Sequence, residues 1–120
     1  MKDKKILLID DERDFISIMR KKIESWGYAF FSATSGALGL KELTKVKPDL
    51  IIVDLMMPEM DGFATLKEIR KIDKVVPVIM LTAHEGFEMI KEAEELGVTA
   101  YVFKMTLEPN LRSLITGALK

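Results

Sequence analysis

Four places in the sequence set chemically capable side chains at the end of a short apolar run. Asp10-Asp11-Glu12 follows Ile6-Leu7-Leu8-Ile9, and Asp54 closes Leu50-Ile51-Ile52-Val53. Thr82 closes Val78-Ile79-Met80-Leu81, and Lys104 follows Ala100-Tyr101-Val102-Phe103. If the chain brings these ends together, several carboxylates, one hydroxyl and one ammonium share a rim. Two carboxylates ~4 Å apart repel by roughly 4 kcal/mol at an effective dielectric of ~20. Such a cluster persists when protons, a cation or a partner offset the repulsion. A hard divalent cation with oxygen ligands is the natural solution, and Mg²⁺ suits few carboxylates with open water positions. A firmly held carboxylate such as Asp54, beside that ion, can attack a phosphoryl group and form an acyl phosphate. Phosphoryl transfer asks mainly for alignment and charge neutralisation, which Lys104 and the Thr82 hydroxyl would supply. Taken singly, each residue has a plainer reading: a solvated loop acid, a surface lysine, a β-branched strand residue. Their convergence makes the argument.

That convergence depends on the elements. Strands are expected over residues 5–10, 28–33, 50–54, 78–82 and 100–103, all rich in aliphatic and aromatic side chains. Helices are expected over 14–26, 35–46, 61–72, 86–96 and 107–119. The first carries Phe15, Ile18, Met19 and Ile23 on one face and stops at Gly27. Ser35, Asp61 and Thr106 are candidate N-caps, and Gly97 ends the fourth helix. The last helix presents Leu111, Leu114, Ile115 and Leu119. Five successive β-α units imply an α/β domain, a doubly wound parallel sheet with helices on both faces. In this architecture ligands bind outside the carboxyl ends of the strands, where the four groups lie.

Length and composition fit one domain over residues 1–120. Hydrophobic residues are 48% and charged residues 31%, a globular balance. Formal net charge is -1, so no nucleic-acid surface is expected. Cysteine is absent, which excludes disulfides, thiolate metal sites and cysteine nucleophiles. No apolar run approaches the ~18 residues of a membrane span. The start, Met1-Lys2-Asp3-Lys4-Lys5, lacks the pattern of a signal peptide. A soluble, cytoplasmic protein without membrane insertion is therefore expected.

The segment Asp54-Leu55-Met56-Met57-Pro58-Glu59-Met60-Asp61-Gly62 is more specific than any single residue. Pro58 fixes φ and Gly62 permits tight backbone geometry, so the loop after Asp54 is expected to be rigid. With Leu8-Ile9-Asp10-Asp11-Glu12, Leu81-Thr82-Ala83 and 97–104 (GVTAYVFK), it makes the chain resemble a response-regulator receiver domain of the chemotaxis-regulator type over essentially its whole length. The resemblance implies a flavodoxin-like fold, strand order 2-1-3-4-5, with five helices. It implies Asp54 as phospho-acceptor and Mg²⁺ (or Mn²⁺) held by Asp11 directly, by Asp10 mainly through water, by Asp54 and by the Met56 carbonyl. Thr82 and Lys104 would contact the phosphoryl oxygens, and Tyr101 would be the switch aromatic that follows Thr82. Met56 and His84, two residues after Asp54 and Thr82, would tune dephosphorylation. The implied donor is a histidine kinase or phosphotransfer protein. The implied output is altered binding of a downstream effector protein or domain, or a phosphorylation-dependent dimer. Apart from phosphotransfer and autodephosphorylation that it catalyses on itself, such a domain is no enzyme.

One residue departs from the pattern. Receivers usually follow this lysine with a cis proline, and here Met105-Thr106 follow Lys104. A cis bond before a non-proline residue costs ~2.5–4 kcal/mol, so a trans bond is the default and the approach of Lys104 becomes a question for the structure. Val98-Thr99-Ala100 also lacks the acidic residues frequent in the winged-helix transcription-factor branch. Met105 motivates a second reading, a pseudo-receiver that binds protein without turnover. A phosphoaspartyl hydrolase fits less well, because Met56 stands where that class places a second Asp. A flavin-binding role fits poorly too, because the acidic first loop would repel a flavin phosphate.

Overall fold

The computed structural model of the chain describes residues 3–83, 87–106 and 110–120. Strands and helices alternate: β1 (Lys5–Ile9), α1 (Arg13–Ser25), β2 (Ala29–Ala33), α2 (Gly36–Val46), β3 (Leu50–Asp54), α3 (Gly62–Ile72), β4 (Val78–Thr82), α4 (Phe87–Glu95), β5 (Ala100–Phe103) and α5 (Asn110–Ala118). A single 3-10 turn, Lys104–Thr106, follows β5. The strands form one parallel sheet in the order β2-β1-β3-β4-β5. This is the doubly wound, flavodoxin-like order expected.

The two-residue period of a strand sorts the core into two layers. Ile6, Leu8, Leu50, Ile52, Ile79 and Leu81 point to one face, where α1 and α5 cover them with Ile16, Met19, Ile23, Leu111 and Ile115. Leu7, Ile9, Ile51, Val53, Val78 and Met80 point to the other, where Leu43 of α2, Leu66 and Ile69 of α3, and Ala93 of α4 pack on them. Strands buried on both faces explain why their sequences read as unbroken apolar runs.

Local signals set the element ends. Ser35 Oγ accepts from the Leu38 N–H at 3.1 Å and caps α2. Asp61 Oδ1 accepts from the Ala64 N–H at 2.8 Å and caps α3. Gly27 and Gly97 end α1 and α4 at φ of +94° and +79°, where a side chain would be strained.

Several expectations shift. β1 stops at Ile9, which leaves Asp10 just beyond the ladder, and β2 starts at Ala29 rather than at 28. α1 starts at Arg13 rather than 14, with Glu12 as N-cap residue, and Trp26 becomes its C-cap. Its buried face is Ile16, Met19 and Ile23, while Ile18 is 53% exposed. Residues 16 and 18 lie ~200° apart on a helix, so a face centred on Met19 and Ile23 admits the one and excludes the other. The expected starts of the fourth and fifth helices at Gly86 and Leu107, and the side chain of the candidate cap Thr106, lie outside the described residues.

Candidate functional site

The carboxyl ends of β1, β3, β4 and β5 meet as the alternation requires. Asp10 follows β1, is fully buried, and its Oδ1 accepts from the Glu12 N–H at 2.8 Å. Asp54 closes β3 and is 2% exposed. Carboxylate oxygens of Asp10, Glu12 and Asp54 lie within 4.8 Å of one another. Lys104 offsets part of this negative charge from the end of β5. Its Nζ lies 2.8 Å from Asp10 Oδ2, 2.7 Å from Glu12 Oε1 and 3.4 Å from Asp54 Oδ2. The same ammonium sits 4.5 Å above the Phe15 ring. Met105 in place of proline therefore does not keep Lys104 from the acids.

The electrostatics follow from burial. The Asp54 carboxyl is pushed up to about 6, first by burial and then by the neighbouring Asp10 charge; Lys104 and the Met56 N–H offset only part of this. Burial also raises Asp10, against the pull of Lys104. Burial alone would lower the Lys104 pKa, but Asp10 and Glu12 outweigh it and the ammonium is held well above its ordinary range. Asp10 Oδ2 has no hydrogen bond of good geometry, so its compensation is the charge of Lys104 at 2.8 Å.

Such a donor set fits a hard divalent ion. All of its atoms are carboxylate oxygens, one of them lacks a directed hydrogen bond, and among the described residues the cation against them is an ammonium on a flexible stem.

Thr82 is fully buried at the end of β4. The register pairs Leu81 with Asp54, so Thr82 stands one residue beyond the acceptor's partner. Tyr101, on β5, buries its hydroxyl. Burial raises its pKa and a contact with Thr82 lowers it in part, yet that contact falls short of good hydrogen-bond geometry.

The loop after Asp54 is tightly built. The Gly62 N–H donates to the Leu55 carbonyl at 2.8 Å. A Cβ on Gly62 would come within 2.6 Å of both the Asp54 carbonyl oxygen and the Leu55 Cα. The left-handed residue in this loop is Glu59, at φ 65°, not the glycine.

Of the residues singled out in the sequence, Asp10, Asp54 and Lys104 come into direct contact, and Thr82 and Tyr101 lie together on the adjoining strands. Met56 is half-exposed beside Asp54. Asp11 is exposed and stands outside the acid group. His84 lies outside the described residues. Glu12, one of the acids after β1, and Phe15, expected on the apolar face of α1, both touch the Lys104 ammonium, a contact that no local pattern marks. Glu12 was visible within the acidic stretch, but its pairing across 92 residues was not.

A profile of the response regulator receiver domain matches residues 6–116. The chain belongs to this family. Among relatives of this receiver domain, the sporulation initiation phosphotransferase F of Bacillus subtilis is 36% identical over 104 residues, covering 87% of this chain and 84% of that protein. The transcriptional regulatory protein ZraR of Escherichia coli is 35% identical over 114 residues, which cover 95% of this chain. The chain spans only 26% of ZraR's length. A response regulator receiver domain protein from Clostridium thermocellum shares the fold with a TM-score of 0.91 and 31% identity, covering 97% of this chain and 94% of that one. The chain is thus a signalling domain of the two-component response-regulator kind. Among its described residues no helix is long and apolar enough to cross a membrane.

Proposed function

We propose that this receiver accepts a phosphoryl group on the Asp54 carboxylate, in a reaction that depends on Mg²⁺ or Mn²⁺, from a phosphohistidine on a histidine kinase or phosphotransfer protein in the cytoplasm. The observation that carries this reading is the buried Asp54 carboxylate at the end of β3, flanked by Asp10 and by the Lys104 ammonium at 3.4 Å. Asp10, Asp54, Asp11 at the rim and the Met56 carbonyl would hold the ion. When bound, it supplies charge neutralisation on the phosphoryl oxygens.

The chain's own residues do the rest. An Asp54 carboxylate oxygen bonds to phosphorus as the phosphorus–nitrogen bond of the donor breaks, and the bonding pair returns to the imidazole nitrogen. The Lys104 ammonium pairs with one phosphoryl oxygen, and the Thr82 hydroxyl donates to another. The product adds ~1.5–2 negative charges beside Thr82. Thr82 and the adjacent Tyr101 then form the element whose two arrangements are biased, altering the binding of a downstream effector or a second copy. Met56 and His84 tune hydrolysis of the acyl phosphate.

The pseudo-receiver reading rested on Met105. The Lys104 contacts with Asp10 and Asp54 favour a competent site instead. With acetyl phosphate and Mg²⁺, mass spectrometry is expected to record the gain of one phosphoryl group, abolished by Asp54→Asn. No gain with any of several small donors would establish the binding module in its place.

A further inference from the structure

Lys104 touches more than phosphoryl recognition requires. Its inner partners, Asp10 and Asp54, are buried. Its third carboxylate belongs to Glu12, whose side chain is 64% exposed at the pocket mouth, 2.7 Å from the ammonium. The Phe15 ring lies beneath at 4.5 Å. Glu12 is the N-cap residue of α1 and Phe15 comes three residues later, a spacing that sets both on the same side of the helix start. The Glu12 backbone is pinned in turn by its N–H to Asp10 Oδ1. Phe15 packs against the core layer of α1 and α5, which fixes the ring face.

A divalent cation and an ammonium repel one another and compete for the same carboxylate oxygens. A lysine displaced from Asp10 and Asp54 without another partner would sample many rotamers in water, because its stem has four flexible carbons. We propose that Glu12 and the Phe15 ring form a second berth for the Lys104 ammonium, keeping it ordered at the pocket mouth while a divalent cation takes over the charge of Asp10 and Asp54. This inference rests on the phosphotransfer reading. Glu12 and Phe15 are positioning residues, acting on the reacting atoms through Lys104. From the berth, the ammonium needs one side-chain swing to meet an incoming phosphoryl oxygen. An aromatic face and a carboxylate hold a cation more firmly together than a lone exposed carboxylate does.

The test is the side-chain ammonium resonance of Lys104 in lysine-labelled protein, assigned with Lys104→Gln. A held ammonium exchanges its protons slowly enough to be seen, and a solvated one does not. In the unaltered chain the resonance is expected before and after saturation with Mg²⁺. In Glu12→Gln it is expected without metal, held by Asp10 and Asp54, and lost once Mg²⁺ is added. Phe15→Leu, which keeps apolar volume but removes the π face, is expected to weaken the metal-loaded signal. Phosphorylation of Glu12→Gln by acetyl phosphate should slow by roughly 2- to 5-fold, the scale of one exposed ion pair. A Lys104 resonance equally strong in metal-loaded Glu12→Gln and the unaltered chain overturns the berth, even if Asp54 is phosphorylated normally. Loss of the resonance in both on adding Mg²⁺ overturns it as well. A chain that never gains a phosphoryl group while Lys104 behaves as described would refute the phosphotransfer reading alone.

Discussion

Burying a carboxylate at the end of β3 raises the free energy of its ionised form, and Asp54 has its pKa at about 6 against 3.8 for a free side chain. The sign of the consequence is definite. Below both values the carboxyl is protonated in folded and unfolded chains alike, and its burial costs nothing in pH-dependent stability. As pH rises from 3.8 through about 6, the unfolded chain ionises first and the fold loses stability relative to it. The full gap corresponds to roughly 3 kcal/mol, an upper scale because Lys104 and Asp10 respond together. Asp54→Asn is therefore expected to be more stable than the unaltered chain in metal-free urea titrations near neutral pH, by about 1–3 kcal/mol. That advantage should vanish near about pH 4. A pH-independent difference would mean that the cost of burial is fully met by Lys104.

At the scale of elements, the loop between β3 and α3 is built to leave no slack. Asp61 caps the helix and Gly62 lies against the backbone that carries Asp54. Asp61→Ala removes one cap hydrogen bond and is expected to cost about 1 kcal/mol in urea denaturation, with phosphorylation close to normal. Gly62→Ala pushes a methyl group against the Asp54 carbonyl, which is backbone and cannot turn aside. It is expected to cost about 1–3 kcal/mol and to slow phosphorylation, because Asp54 itself must shift. Equal phosphorylation rates in the two variants would remove the link between loop packing and acceptor placement. These elements were legible in the sequence because caps, glycine stops and unbroken apolar runs are local signals. Asp10, Asp54, Thr82 and Lys104 were legible through them, since each stands at a strand end. The choice between Ile16 and Ile18 was not, because both patterns share Met19 and Ile23 and the packing angle on the sheet decides. The meeting of Glu12 and Phe15 with Lys104 was hidden for a related reason: Lys104 is 92 residues from Glu12, and only its rotamer brings the three together.

At the scale of the molecule, the sheet separates α1 and α5 from α2, α3 and α4, while the strand ends tie both layers to one rim. Under the proposed switch, charge placed on Asp54 is passed to β4 and β5 through Thr82 and Tyr101. With a beryllofluoride mimic of the phosphoryl group, amide resonances of Tyr101 and of residues 104–107 are expected to move well beyond those of β2 on the far edge. Unchanged signals at Tyr101 and 104–107 would count against the proposed switch.

The ion pair between Glu12 and Lys104 joins residues 92 apart in sequence, from the start of α1 to the end of β5. During synthesis, Asp10 and Asp54 emerge long before the lysine that lies against them in the finished fold. A nascent or truncated chain ending before β5 would have to hold these acids protonated, hydrated or apart. The rim is thus sensitive to completeness: part of its negative charge is offset only when the last strand docks, and fragments that stop short should show β1 and β3 associating more readily in mild acid than at neutral pH.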